Sequence, residues 1–186
     1  MRLIVGLGNP TREYQGTRHN VGFRVLAELA KQCGPTRPKT KFHAEVLDVT
    51  IGGQRALLMS PLTYMNRSGI SVHEACDFYK LSLEELLIVC DDLNLPLAKL
   101  RFRSSGSSGG QKGLADIINR LGTEKFARLR IGIGAPPDGW DATDYVLSKF
   151  AKAEKRDMEN AVVLAAEAVV RWTAGDIQDC MNRYNH

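Results

Sequence analysis

A strand-like run, Arg2-Leu3-Ile4-Val5-Gly6-Leu7, ends at Gly8-Asn9-Pro10, and the chain then supplies Tyr14 and Thr17-Arg18-His19-Asn20 just ahead of an amphipathic stretch. An amide and an imidazole are thereby delivered to one strand edge, which is where open α/β sheets bind ligands. His19 is the first candidate for chemistry, because imidazole titrates near about 6.5 and moves protons at neutral pH. At a helix start the dipole favours the neutral ring, and a carboxylate on the other nitrogen would fix the tautomer and restore basicity. Asp91 or Asp92, closing the apolar run Leu86-Leu87-Ile88-Val89-Cys90, is the natural partner. Asn9 and Asn66 stand where loops meet regular elements, and amides so placed can orient a water or donate to a developing oxyanion. A His, an Asp and two Asn converging on one sheet edge point to direct attack by water rather than to a covalent serine intermediate.

Three other motifs compete. Gly6-Leu7-Gly8-Asn9-Pro10 begins like a dinucleotide fingerprint, but the third glycine is missing, Pro10 interrupts and the helix starts too late. Gly106-Ser107-Ser108-Gly109-Gly110-Gln111-Lys112-Gly113 sets glycines and a lysine ahead of a helix, yet a P-loop needs Ser or Thr where Gly113 stands. An anion cradle survives that test and an ATPase does not. Cys90 beside Asp91 suggests a thiol nucleophile, although a cysteine ending an apolar strand is usually core. The cysteines at 33, 76, 90 and 180 form no CxxC pair, and His43, His73 and His186 share no ligand spacing, so neither a metal nor a disulfide is expected.

The elements that must position these residues follow from pattern. With 186 residues, 44% of them hydrophobic, the chain can bury one substantial core. The apolar run at Leu3–Leu7 is far too short for a membrane span or signal peptide, so a cytosolic protein is expected. Net charge is only +4, but eight basic residues (Lys99, Arg101, Arg103, Lys112, Arg120, Lys125, Arg128, Arg130) lie among two acids (Asp116, Glu124) between positions 99 and 130. Such a stretch suits a phosphate-bearing partner, and nucleic acid is favoured over a membrane.

Val21, Val25, Leu26, Leu29 and Ala30 recur at helical spacing and stop at Gly34-Pro35, predicting a helix over 20–33. Residues 36–41 read as an exposed loop, followed by a hairpin of 42–50 and 54–59 around Gly52-Gly53. A second helix is expected over 65–79, a capping box at Ser82-Leu83-Glu84-Glu85, and a central strand over 86–90. An edge strand over 97–103, a helix over 114–121, a strand over 128–133 and a long helix over 153–174 complete the pattern, with a short polar tail behind. Strands alternating with helices, plus one hairpin, imply a three-layer αβα single domain with a mixed, mostly parallel twisted sheet.

Five ordered blocks now stand out: Gly6-Leu7-Gly8-Asn9-Pro10, Thr17-Arg18-His19-Asn20, Met65-Asn66-Arg67-Ser68-Gly69, Asp91-Asp92-Leu93-Asn94-Leu95-Pro96 and Arg128-Leu129-Arg130-Ile131-Gly132-Ile133-Gly134. Together they closely resemble the bacterial peptidyl-tRNA hydrolase family, nearly end to end. The resemblance implies a monomeric, cytosolic αβα enzyme that cleaves the ester between a nascent peptide and its tRNA, with no cofactor. It implies His19 as general base on water and Asp91 as the stabiliser of its basic form. Asn9 would act where a blocked peptidyl group is told from a free aminoacyl one. Tyr14, Tyr64 and Asn66 would line the cleft, Arg103 and Arg130 would clamp tRNA phosphates, and the C-terminal helix (about 153–174) and tail would border the cleft as a lid.

One block departs from the pattern. Where many members carry Gly-His-Asn-Gly, this chain reads Gly110-Gln111-Lys112-Gly113. Lys112 can attract phosphate as a point charge but cannot reproduce an amide's paired donor and acceptor. The departure and the basic stretch together motivate an alternative, a noncatalytic RNA-binding module on the same fold.

Overall fold

The computed structural model describes residues 1–34 and 37–186. Seven strands form one sheet in the order β2-β3-β4-β1-β5-β7-β6. They are β1 (Arg2–Gly6), β2 (Lys39–Lys41), β3 (Ala44–Ile51), β4 (Gln54–Pro61), β5 (Leu86–Asp92), β6 (Leu100–Arg103) and β7 (Ala127–Gly132). β4, β1, β5 and β7 run parallel, while β2, β3 and β6 add antiparallel pairings at the two ends. All seven residues of β5 are buried, as a parallel strand covered on both faces requires. β3 instead alternates buried and exposed, since one of its faces meets solvent.

The helices are α1 (Val21–Gln32), α2 (Ser68–Tyr79), α3 (Lys112–Leu121), α4 (Ala142–Leu147), α5 (Lys152–Ala174) and α6 (Ile177–Tyr184). Strand residues alternate between two cores. Ile4, Leu87 and Val89 join Val21, Val25, Leu29, Val169 and Trp172 on the α1 and α5 side. Leu3, Val5, Leu86, Ile88 and Cys90 join Val72, Leu114 and Ile117 on the α2 and α3 side. The result is a single αβα domain, and among its described residues no helix is long and apolar enough to cross a membrane.

From β1 the chain moves to β4 on one side, then returns through α2 to β5 on the other, so the order reverses between β1 and β5. Crevices form beyond the strand ends at such reversals. Here α1 comes very close to β1: a Cβ on Gly6 would lie 2.4 Å from the Gly22 carbonyl oxygen, and one on Gly22 would lie 2.4 Å from the Leu7 nitrogen. These glycines, with Gly8 under the Phe23 ring, serve close packing of backbone and not a dinucleotide turn.

Several elements differ from the sequence reading. Part of the expected loop is strand β2, whose residues pair with β3 despite being exposed and basic; Pro35, of the helix stop signal, and Thr36, the first residue of that loop, lie outside the described residues. β5 runs two residues past the apolar stretch and ends in Asp91 and Asp92, at the strand edge as expected, because β7 continues the ladder to Gly132. α4 has no amphipathic run long enough to announce it, and Asp141 starts it by accepting from the Thr143 and Asp144 amides. The polar tail is the helix α6, capped by Asp176 and packed on β6. Beyond it, the Asn185 amide accepts from the Phe102 N–H at 2.7 Å and donates to the Phe102 carbonyl at 3.0 Å, satisfying the outer edge of β6 as a neighbouring strand would. The capping box at Ser82 and Glu85 forms as expected.

Candidate active site

A cleft of about 320 Å³ opens beyond the ends of β1, β4 and β5, and Asn9, Tyr14, His19, Tyr64, Asn66, Asp91, Lys112 and Arg130 all line it. Residues more than 120 positions apart in sequence meet there because parallel strands end on one edge. Arg103 is the one candidate that the cleft lining excludes; it is exposed on β6, the far edge strand.

His19 occupies the 3₁₀ turn Arg18–Asn20 that follows β1 and leads into α1. Its Nδ1 lies 2.8 Å from Asp91 Oδ2, with side-chain exposures of only 9% and 3%. A carboxylate accepts only, so Nδ1 carries a proton and Nε2 keeps the lone pair that faces the cleft. The choice between the two carboxylates is settled by alternation along β5. Asp92 turns elsewhere, accepting from the Asn94 N–H at 2.8 Å and from Arg130 Nη1 at 3.1 Å.

Asn9 is fixed from three sides. Its backbone N–H donates to Asn20 Oδ1 and its carbonyl accepts from Asn20 Nδ2, both at 2.9 Å. Its Oδ1 accepts from the Met65 N–H at 2.8 Å, which settles the amide's orientation and leaves Nδ2 as the donor toward the cleft. That same bond holds the turn in which Tyr64 takes φ 62° and ψ 158°. For a residue other than glycine this region costs on the order of 1–3 kcal/mol, and such strain persists where surrounding contacts over-determine it. The Tyr64 ring, 46% exposed, meets Tyr14 edge-on at 6.4 Å between centroids, forming one wall. Asn66 lies exposed in the next turn, Met65–Arg67.

Two supporting residues escaped the sequence reading. Asn20 stands at the start of α1 but its side chain does not cap the helix, serving instead as the clamp on Asn9. Gln111 caps α3 by accepting from the Leu114 N–H at 2.7 Å, while its Nε2 donates to Asp91 Oδ1 at 3.1 Å. The position read as a departure thus braces the carboxylate that braces His19. Glutamine just before a helix is a weak cap signal, and nothing local announces a partner 20 residues away.

The basic stretch is partly spent inside the fold. Arg128 is fully buried, stacked 4.2 Å from the Phe126 ring centre and donating to the carbonyls of Glu124, Phe126 and Gly106. Arg130, whose side chain is 11% exposed, pairs with Asp92 and donates to the Ser107 carbonyl, so it stiffens the cleft wall. Lys112 stays exposed at the start of α3. On the opposite wall the lining comes from α4 (Ala142, Thr143, Val146, Leu147); α5 and α6 contribute no lining residue, contrary to the expected lid.

The competing chemistries fare differently. Cys90 is fully buried, and burial, reinforced by the adjacent Asp91 carboxylate, pushes its thiol far above the usual range. It is expected to resist iodoacetamide in the native protein and to react only on unfolding, as mass spectrometry of the labelled peptide would show. The expectation of no serine elbow needs correcting at the level of sequence, since Gly106-Ser107-Ser108-Gly109-Gly110 spells the G-x-S-x-G consensus, but Ser108 is not among the cleft residues and its Oγ accepts from the Gly110 N–H at 3.4 Å. Among the described residues no group of three or more His, Cys, Asp or Glu side chains could hold a metal.

Comparison with known proteins identifies the family. The model of the family described as peptidyl-tRNA hydrolase matches residues 3–186. The peptidyl-tRNA hydrolase of Rhodopirellula baltica is 52% identical over 185 residues, covering 100% of this chain and 97% of that protein. That of Chlorobium phaeobacteroides is 44% identical over 187 residues, covering 100% and 98%. A crystal structure of the Acinetobacter baumannii peptidyl-tRNA hydrolase superposes with a TM-score of 0.92 at 38% identity, covering 100% of this chain and 94% of that one. A family match over residues 3–186, with relatives and a solved structure covering the whole chain, leaves one conclusion: this chain belongs to the peptidyl-tRNA hydrolase family.

Proposed function

We propose that the protein hydrolyses the ester joining peptide to tRNA, with His19 as general base. The observation that carries the reading is the 2.8 Å contact of His19 Nδ1 with the buried Asp91, which leaves Nε2 as a proton acceptor inside the cleft. Nε2 takes a proton from water as the water oxygen attacks the ester carbonyl carbon. The tetrahedral oxyanion collapses, the bond from carbon to the ribose oxygen breaks, and the imidazolium returns its proton to that oxygen. Asn9 Nδ2 and the Asn66 amide are the donors available to the peptide and the oxyanion. Tyr14 and Tyr64 offer ring faces and edges to the acceptor end, and Lys112 offers a point charge to its phosphates. Arg103, exposed but outside the cleft, is left with the more distant role of attracting the tRNA body, while Arg130 acts through Asp92. A translation substrate supports a cytoplasmic location.

Peptide release from a peptidyl-tRNA by purified protein tests this reading. Tight, salt-sensitive RNA binding with no turnover would select the noncatalytic module instead. The buried, braced His19 argues for turnover, since a pure binder gains nothing from a poised base. Cys90→Ala is expected to keep the wild-type rate, and a large loss would reopen thiol chemistry. Gln111→Leu removes one hydrogen bond to a buried carboxylate, worth about 1.5–3 kcal/mol, and a helix cap worth about 1 kcal/mol. We expect kcat to fall about tenfold or more and Tm to drop by roughly 2–4 °C from the cap alone; unchanged kcat with a lowered Tm would confine Gln111 to capping.

A further inference from the structure

Arg18 precedes the proposed base directly, yet its side chain does not line the cleft and is only 7% exposed. Its guanidinium forks onto Glu154, with Nη1 to Oε1 at 3.0 Å and Nη2 to Oε2 at 2.7 Å. Nε donates to Ser148 Oγ at 3.2 Å and Nη1 to the Ile133 carbonyl at 3.4 Å. The plane lies over Tyr145 and Phe150, 4.4 and 4.8 Å from their ring centres. The backbone is strapped to the same segment, with Arg18 N–H donating to the Ser148 carbonyl at 2.9 Å and Thr17 bridging Lys149.

Apart from the Ile133 carbonyl, these contacts reach the stretch that carries α4 and starts α5. α4 supplies Val146 and Leu147 to the cleft, and Tyr145, stacked under the guanidinium, donates to the Ile133 carbonyl that Arg18 also meets. Glu154 in turn accepts from the Ala151 N–H and caps α5. A buried ion pair contributes little stability that a well-packed apolar pair would not. What a planar two-pronged pair supplies is fixed geometry. Here the geometry fixed is the turn holding His19 relative to the wall opposite.

We propose that Arg18 is a positioning residue for hydrolysis, locking the His19 turn and the α4 wall into one register through Glu154, Ser148 and Tyr145. The proposal rests on the reading of His19 as base. It acts through His19, which separates it from a purely structural role: mutations that act through one group are not additive with loss of that group.

The test is Arg18→Lys, which keeps the charge and loses the fork, assayed by peptide release in wild-type and His19→Ala backgrounds. A misplacement of about 1 Å can cost about 10²-fold in rate, so for a smaller shift we expect kcat to fall about tenfold and KM to rise severalfold at a temperature where the variant is folded. In the His19→Ala background the same change should lower the residual kcat less than about twofold. An equal loss in both backgrounds, or unchanged kcat and KM with only a lower Tm, overturns the proposal. Should Arg18→Lys fail to fold, Glu154→Gln is read by the same criteria, with the same signature at smaller size expected. Release by the wild type, its loss in His19→Ala and no effect of either clamp variant would sink this proposal alone; no release by the wild type would sink the reading of His19 with it.

Discussion

His19→Ala releases peptide roughly 10²–10⁴-fold more slowly than the wild type, the range for losing a positioned general base, while KM for peptidyl-tRNA stays near the wild-type value. The split follows from where the imidazole sits. Its Nδ1 is occupied by Asp91, so only Nε2 meets the cleft, and a nitrogen whose task is to take a proton in the transition state adds little to ground-state binding. The contacts available to tRNA belong to other residues, among them Tyr14, Tyr64 and Lys112. Single-turnover release, with tRNA binding measured alongside, checks both halves. Full activity in the variant would remove His19 from the mechanism; a lost rate accompanied by lost binding would make it a contact residue instead.

The second large effect is expected of Asp91→Asn, a loss within the same roughly 10²–10⁴-fold range. Gln111 Nε2 donates to Asp91 Oδ1, and the Gln111 amide cannot turn over, because its oxygen is committed to the Leu114 N–H. An asparagine at 91 must therefore give its oxygen to Gln111 and its NH₂ to His19. Nδ1 becomes the acceptor, the proton moves to Nε2, and the ring presents a donor to the water that it should deprotonate. The shape of the site is kept while the tautomer is wrong, the situation known from asparagine at the acid of a serine-protease triad. Nitrogen-15 NMR of the His19 ring, protonated at Nδ1 in the wild type and at Nε2 in the variant, checks the cause apart from the rate. A wild-type tautomer in a slow variant would point to lost charge rather than lost orientation.

Both effects depend on residues whose types were readable long before their neighbours were. The strand over 2–7 and the helix behind it follow from periodicity, and His19 at their junction follows from where such junctions bind ligands. The apolar run over 86–90 reads as a fully covered strand because no polar residue breaks it, and its two acids are then at the site edge by necessity. The choice between those acids was out of reach of pattern. It turns on a one-residue alternation at the end of β5, set by how far β7 extends the ladder. The basic stretch is legible only in part for a related reason: charge counting sees eight cations, but burial takes Arg128 into the core and Asp92 pairs with Arg130.

α4 and α6 were missed because each is short and capped by a single aspartate, with an apolar face that only the rest of the domain makes meaningful. Asn20 and Gln111 were missed as braces because a side-chain amide forms whatever bonds the fold brings within about 3 Å, and sequence carries no record of distance. The sequence by itself determined the layers, the strand that carries the acid and the imidazole at the first junction, since periodic burial and helix or strand propensity act over a few residues. Only the tertiary structure decided which carboxylate, which amides and which arginines complete the site. Those contacts span gaps of 11 to 136 residues, and only the packing of turns and helices around the parallel sheet brings such positions together.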